Sequence, residues 1–426
     1  MRPALWAAQK ERPADNSRAP FSQDGSMDIL RTPPSQFSRP PSLVFLVWIT
    51  IAGTFPIHIF VPALPDAARE LQVSSGAMQL SITAYLIGLS LGQLLLGILS
   101  DRFGRRPVLL AGLLLYVLAS AVLAVAPNLA TVLVARVFQA LGGCSGLVLG
   151  RAITRDTSSP AEATARLAVL GAAISIGPAF APIVGGQIAL HFGWRAVFVT
   201  LAAMNAVLLA ITLATLPETG NTRDATGLRA YFARIFALRR NAHFMRFCIG
   251  GAFATTSFYA FVGAAPFILK SQFGLSPDQV GFAFLVVVGS LTLGSLCASR
   301  LAGRLAPLSV VRFSGCAMLA ASLILLWLTL ADRLSLYSLH LPVMALSFAI
   351  GLCSPFAMSA AISAEPRAIG AASGLYGCLQ MGTGAAIIAA TGLLPLRLEL
   401  SMALVLTAAS AIAALAFCYP AGGFRK

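Results

Sequence analysis

Few side chains in this sequence are placed to do charge chemistry inside an apolar surrounding. His58 stands in the run Phe55-Pro56-Ile57-His58-Ile59-Phe60-Val61; His191, His243 and His340 fall near the ends of apolar segments. An imidazole titrates near pH 6.5, which makes His58 a proton-coupling candidate. Its alternative is a neutral ring bonded to a carbonyl beside the Pro56 kink. Arg136 lies about five residues into another apolar run, with Gln139 three residues further on, and an arginine at such depth is costly and tied to function. At about 1.5 Å per residue, His58 and Arg136 come out at a similar depth and are expected to see each other. All 15 carboxylates can be placed outside the apolar segments, so none is available there as a proton carrier. The seven cysteines form no CxxC pair, and HExxH, GxSxG and clustered His/Asp are missing. No metal, cofactor or catalytic residue is therefore expected.

The elements that must hold these groups are long and apolar. The 426 residues are 58% hydrophobic and only 11% charged. Soluble domains carry about 25% charged residues, so a water-soluble enzyme is excluded. The apolar runs are about 20 residues long, the length of a helix that crosses a bilayer, and the alternating pattern of a membrane barrel is missing. Twelve spans are expected, at 43–63, 78–99, 107–126, 131–152, 166–190, 195–216, 244–269, 279–300, 310–330, 341–362, 369–394 and 399–420. The reading is an all-α polytopic membrane protein of two six-helix bundles. A disordered tail (1–41, with Met27 as an alternative start) precedes the first bundle (42–216). A linker (217–243), the second bundle (244–420) and a short tail (421–426) follow. With the N-terminus inside, 24 of the 30 Lys and Arg residues fall on the inner side and five on the outer. That bias places both termini in the cytoplasm, in the cell (inner) membrane. It also accounts for the net charge of +15 without nucleic acid. A weak repeat at an offset of 199 matches Ala84-Tyr85-Leu86 to Ala283-Phe284-Leu285 and Gly104-Arg105 to Gly303-Arg304.

Three segments carry more specific information. The loop after the second span reads Gly97-x-Leu-x-Asp101-Arg102-x-Gly104-Arg105-Arg106-Pro107. The fourth span carries Val132-x3-Arg136-x2-Gln139 and Gly142-Gly143, and ends on Arg151 and Asp156. The fifth carries Gly177-Pro178-x2-Ala181-Pro182-x2-Gly185-Gly186, in which proline kinks the helix and glycine admits a neighbour. Gly193-Trp194-Arg195-x2-Phe198 follows, and Val61-Pro62-Ala63-Leu64-Pro65 closes the first span.

Together these segments resemble the major facilitator superfamily, and within it the drug:proton antiporters of the Bcr/CflA type, over the whole chain after the tail. The resemblance implies that Asp101 faces the N-terminal end of the eleventh span, near Ile369, and Arg105 of its own motif, holding one face shut. Gly97, Asp101, Arg102, Gly104, Arg105 and Asp156 then form a gating motif. Gly177, Pro178, Ala181, Pro182, Gly185 and Gly186 form the antiporter motif. One departure stands out: the family commonly has an acid before Pro62, where this chain has His58. The second copy of the loop, Ser299-Arg300-x2-Gly303-Arg304, also lacks the acid.

The resemblance implies a proton-coupled exporter of small amphipathic or cationic-to-neutral compounds, acting by alternating access. Tyr85, Arg136, Gln139, Asn205, Tyr259, Tyr376 and Gln380 are its substrate-cavity candidates, and each is as readily a packing contact between helices. The expected partners are a small-molecule substrate, protons and the lipid bilayer, with the chain a monomer. The same fold would serve a selective exporter or importer of a sugar, nucleoside or amino-acid derivative. A non-transporting sensor or scaffold would have only the 41-residue tail and the central loop to work with.

Overall fold

The computed structural model describes residues 41–220, 227–365 and 369–419. The expectations for the tails at 1–40 and 420–426 lie outside the described residues. The elements in order are α1 (Leu43–Ile51), α2 (Phe55–Phe60), a 3-10 turn (Val61–Ala63), α3 (Leu64–Glu70), α4 (Ser75–Phe103), α5 (Arg105–Ala124), α6 (Leu129–Asp156), α7 (Pro160–Phe192) and α8 (Trp194–Thr215). Then come α9 (Leu228–Leu238), α10 (Ala242–Thr256), α11 (Phe258–Phe273), α12 (Pro277–Leu301), α13 (Pro307–Leu330), α14 (Leu336–Ser363), α15 (Ile369–Leu393) and α16 (Leu398–Cys418). The described chain is all-helical.

Counting α10 and α11 as one, 10 of the helices are long and apolar enough to cross a membrane, and the bent pair at Leu43–Glu70 makes 11. The remaining expected span is α15. It is 25 residues long, but glycines, Ser373, Gln380, Thr383 and Thr391 dilute its apolar character. Large apolar side chains stand exposed along the outer faces, among them Leu118, Val134, Val207, Leu293, Phe313 and Trp327. In water such a surface would aggregate; against hydrocarbon it is the expected solvent contact.

One expectation needs correction, and another gains detail. The span expected at 43–63 is broken: α1 and the α2–α3 segment meet at 52°. Pro56, Pro62 and Pro65 each remove a backbone donor, and the chain answers with a turn at Gly53-Thr54 and a stretch of 3-10 helix. The linker at 217–243 also holds structure of its own, the helix α9. Most other helices outrun the expected spans because their polar ends are capped. Ser74 and Asn128 accept the amides of Ala77 and Thr131, and Ser159 with Glu162 closes a capping box at the start of α7.

Within residues 43–215, α4, α5 and α6 pack on one another, α5 packs on α8, and α7 on α2. Within 242–418, α12, α13 and α14 pack together, α13 on α16, and α10 on α14, α15 and α16. Between the two groups run α4 against α15 and α7 against α12. Small residues make these approaches close. A Cβ on Gly146 would lie 1.9 Å from the Ile49 carbonyl, and one on Gly294 would lie 2.1 Å from that of Phe348. Gly104 and Gly303, paired by the 199-residue repeat, both have positive φ, at 96° and 78°.

Candidate functional site

Arg136 is fully buried in the wall of α6. Its guanidinium Nη1 donates to the Pro56 carbonyl at 3.3 Å and to Gln139 Oε1 at 2.9 Å, and Nε donates to the Ser81 carbonyl at 3.4 Å. Gln139 Nε2 passes the chain on to Ser120 Oγ at 2.9 Å. The guanidinium carbon sits 4.3 Å from the Tyr85 ring centre, with Phe60 and Phe198 at 5.4 and 5.8 Å. Tyr85 in turn donates to the Gly53 carbonyl at 3.0 Å. The charge is thus held by carbonyl dipoles and ring faces, with no carboxylate among its described contacts. The break at Gly53–Pro56 supplies one carbonyl to Arg136 and another, Gly53, to Tyr85, because a chain leaving helical geometry exposes acceptors that a continuous helix would use itself.

His58 is 7% exposed, and its Nδ1 has no hydrogen-bond partner. The expected bond from its ring to a carbonyl beside the kink is not among the described bonds; the Pro56 carbonyl accepts from Arg136. His58 is not among the described partners of Arg136, which turns to aromatic rings instead.

The cavity candidates fall into two groups. Tyr85, Arg136 and Gln139 form one buried network. Asn205 lies apart from it, beside Tyr116 on a small cavity of about 80 Å³ also lined by Trp48, Ile51, Phe55 and Met204. Its Nδ2 bonds the Leu201 carbonyl of its own helix. In the other half, Gln380 Nε2 donates to Thr255 Oγ1 at 2.7 Å. Tyr376 fits its hydroxyl over Gly251, and the Tyr259 ring packs on Gly384 beside Leu86 of α4. Tyr259 and Gln380 are half-buried; the other five are buried.

The loop at 97–107 forms a second centre. Arg105 pairs with Asp101 and, at 3.1 Å, with Asp156, and it donates to Ser100 Oγ at 2.6 Å. Asp156 therefore joins the Asp101–Arg105 pair, as the motif suggests. Glu218, one of the carboxylates outside the apolar segments, caps α5. It accepts the amides of Arg105 and Arg106 at 2.8 and 3.2 Å, a carboxylate at a helix N-terminus. Gly104 is required twice over: φ is 96°, and a Cβ would sit 2.5 Å from Glu218 Oε2. Arg102 is exposed, its guanidinium over the Phe103 ring. A Cβ on Gly97 would meet nothing within 4 Å, so no neighbour packs closely against this motif glycine. The residues just before Ile369, on which the expected contact with Asp101 bears, lie outside the described residues.

The antiporter segment lies on α7, with Pro178 and Pro182 inside the helix. Gly185 meets the Ile59 carbonyl of α2, 1.7 Å from a would-be Cβ, and Gly186 meets Pro277 and Asp278 of α12. Gly281 returns the contact on Pro182 and Ile183, while Ala181 is buried. Gly177 has only Ile51 near, at 3.8 Å. Trp194 and Arg195 both bond Glu70, tying the start of α8 to α3.

The seam between the two groups of helices was not foreseen. Gly76 and Gly392 touch at one end of α4 and α15, and Lys270 pairs with Asp66 close by. Further along, Ser90 Oγ donates to the Cys378 carbonyl at 2.8 Å, and Gln93 packs over Gly377. Tyr231 of α9 donates to the Leu94 carbonyl at 3.1 Å. Gln79 lies fully buried in this seam with neither amide atom partnered. The only sequence signal was a sparse polar stripe, Gln79, Thr83, Ser90 and Gln93, on an otherwise apolar helix.

Residues 43–390 match the family described as Major Facilitator Superfamily. The chain is 29% identical to multidrug resistance protein D of Escherichia coli (strain K12), over 86% of this chain and 92% of that one. It is 28% identical to a chloramphenicol resistance protein of Pseudomonas aeruginosa, over 81% and 82%. Its fold is similar to a crystal structure of a D-xylose–proton symporter, with a TM-score of 0.72 at 15% identity, covering 88% of this chain and 96% of that one. With the fold, the signature loop and the family match in agreement, the chain belongs to the Major Facilitator Superfamily, a family of membrane transporters.

Proposed function

We propose that this protein is a proton-coupled exporter of small amphipathic compounds, a multidrug transporter of the inner membrane. It works as a monomer with both termini in the cytoplasm. Residues 42–216 and 244–420 are the two bundles, which rock about the seam to open a central path to one side and then the other. The relatives named for resistance to several drugs and to chloramphenicol support cargo of that kind.

The observation that carries the mechanism is how the halves meet. At the Asp66 end they are joined by glycine contacts, Gly76 with Gly392 and Gly186 with Pro277, and by the Lys270–Asp66 ion pair. Glycine backbone contacts and a half-exposed ion pair leave little to unpack where these residues separate. The Asp101–Arg105–Asp156 cluster with Glu218 stiffens the opposite end of α4, α5 and α6, so this half moves as one body. His58, buried with ring Nδ1 unpartnered and two residues along the chain from the Pro56 carbonyl that Arg136 uses, is the group we assign to proton exchange.

Proteoliposomes test this directly. Imposing a pH gradient should drive accumulation of chloramphenicol or another transported member of a drug panel. Adding that compound should release protons. If no compound in the panel moves protons, the exporter reading is wrong.

A further inference from the structure

Gln79 of α4 reaches across the seam and finds nothing to bond there. Its side chain is fully buried. A Cβ on Gly263 of α11 would lie 3.0 Å from Gln79 Oε1, and one on Gly392 of α15 would lie 3.4 Å from the same oxygen. The amide is thus pressed against two glycines of the opposite half. Gly263 lies inside α11, whose backbone groups bond along their own helix, so it offers Cα surface rather than a donor or an acceptor. A primary amide has two N–H groups to donate and an oxygen that accepts. Here neither Nε2 nor Oε1 has a partner. Other polar groups at the seam are matched: Ser90 bonds the Cys378 carbonyl, Tyr231 the Leu94 carbonyl, and Lys270 pairs with Asp66. A buried polar group left unbonded costs its full desolvation, enough to move an equilibrium about tenfold or more.

We infer that Gln79 is a built-in release for the Asp66 end of the transporter. The closed seam leaves the amide dry and unbonded; when the halves part, water reaches it and its hydrogen bonds return. The penalty therefore falls on the closed arrangement and is lifted in the open one. This rests on the two-bundle motion proposed above and adds the residue that sets its balance. The Gly76–Gly392 contact and the Lys270–Asp66 pair hold this end shut, and Gln79 keeps them from holding it too firmly. Methionine, of nearly the same length and shape, would fill the same space on an apolar helix without the penalty, and would leave the end shut more of the time.

Two measurements on the purified full-length protein in detergent test this, with Gln79→Met and Gln79→Leu as variants. The first is the thermal midpoint, which should rise in both, because an unbonded amide is exchanged for an apolar side chain. An amide that makes hydrogen bonds in the folded protein would give the opposite sign. The second is opening. Ile388 is fully buried and packs on the same Gly263. In an Ile388→Cys background, a water-soluble maleimide should label this site about tenfold more slowly in Gln79→Met than with Gln79 in place, the native cysteines being subtracted from the parent protein. A variant that does not elute as the parent does is set aside, and the other decides. A lowered midpoint overturns the inference, and so does an unchanged labelling rate. Proton-linked flux across a compound panel is read separately. Absent flux in the parent, with slower labelling in Gln79→Met, removes the exporter reading and leaves the release at the seam standing.

Discussion

At the scale of single residues, the two charge-bearing groups of the first bundle have different kinds of work. Arg136 is a structural hub. Its fork reaches the Pro56 carbonyl and Gln139 at once while its face lies on Tyr85. A lysine offers a point charge and cannot reproduce that geometry. Hydrogen bonds to a charged group contribute about 1.5–3 kcal/mol each. Arg136→Lys should therefore lower the thermal midpoint of the detergent-solubilised protein clearly, and Arg136→Leu at least as much. An unshifted midpoint in both would remove the hub. His58 makes no hydrogen bond through Nδ1 and supports no neighbour through it. His58→Gln keeps a polar side chain of similar size and cannot titrate. The variant should bind cargo like the parent and lose accumulation driven by a pH gradient. Full proton-driven transport in His58→Gln would return this residue to packing and place the proton elsewhere.

At the scale of elements, the loop between α4 and α5 depends on one backbone angle and several carboxylates. Gly104→Ala puts a side chain at φ 96° and into Glu218. The variant should be poorly folded, whereas Glu218→Gln should weaken the α5 cap by about 0.3–1 kcal/mol. Asp101→Ala leaves Arg105 its bonds to Asp156 and Ser100, so loss of the gate should be partial. Labelling at engineered cysteines in the path from the Asp101 end should rise several-fold, with a larger rise in Asp101→Ala with Asp156→Ala. Labelling unchanged in the double variant would reduce the loop to a topological signal. The motif residues were legible in the sequence because each departs from what an apolar helix needs: an acid in a basic loop, prolines inside a span. The partner Glu218 was not legible, since it lies 113 residues from Arg105, and nothing local distinguishes a capping acid from a solvated one. The broken first span had its signal in Pro56, Pro62 and Pro65, but hydropathy outweighed it in the reading.

At the scale of the whole molecule, composition alone was enough to give an all-helical membrane protein, because hydrophobic length is a property of each segment taken separately. The cavity candidates were less legible. Polarity within a span marks a residue as unusual without saying which neighbour it turns to, and Tyr85, Arg136, Gln139 and Asn205 turn inward to their own half. The orientation proposed for the bilayer rests on the 24-to-five split of basic residues between the two sides. A reporter fused at Ala225 should be active only on the cytoplasmic side, and periplasmic activity would invert the assignment. The two-bundle motion has its sharpest test at the Asp66 end. Lys270 on α11 and Asp66 on α3 pair across the halves, next to the Gly76–Gly392 contact. Opening that end must separate them. A protein carrying Asp66→Cys with Lys270→Cys can be oxidised to a disulfide, which holds the end shut at any cargo concentration. The oxidised protein should bind cargo from the Asp101 side and carry out no net transport, and reduction should restore flux. The double variant kept reduced controls for loss of the ion pair itself, which as a half-exposed pair contributes only about 0–1 kcal/mol. If flux continues at full rate with the cross-link confirmed by mass spectrometry, the halves do not part at this end. Alternating access about this seam would then have to be abandoned.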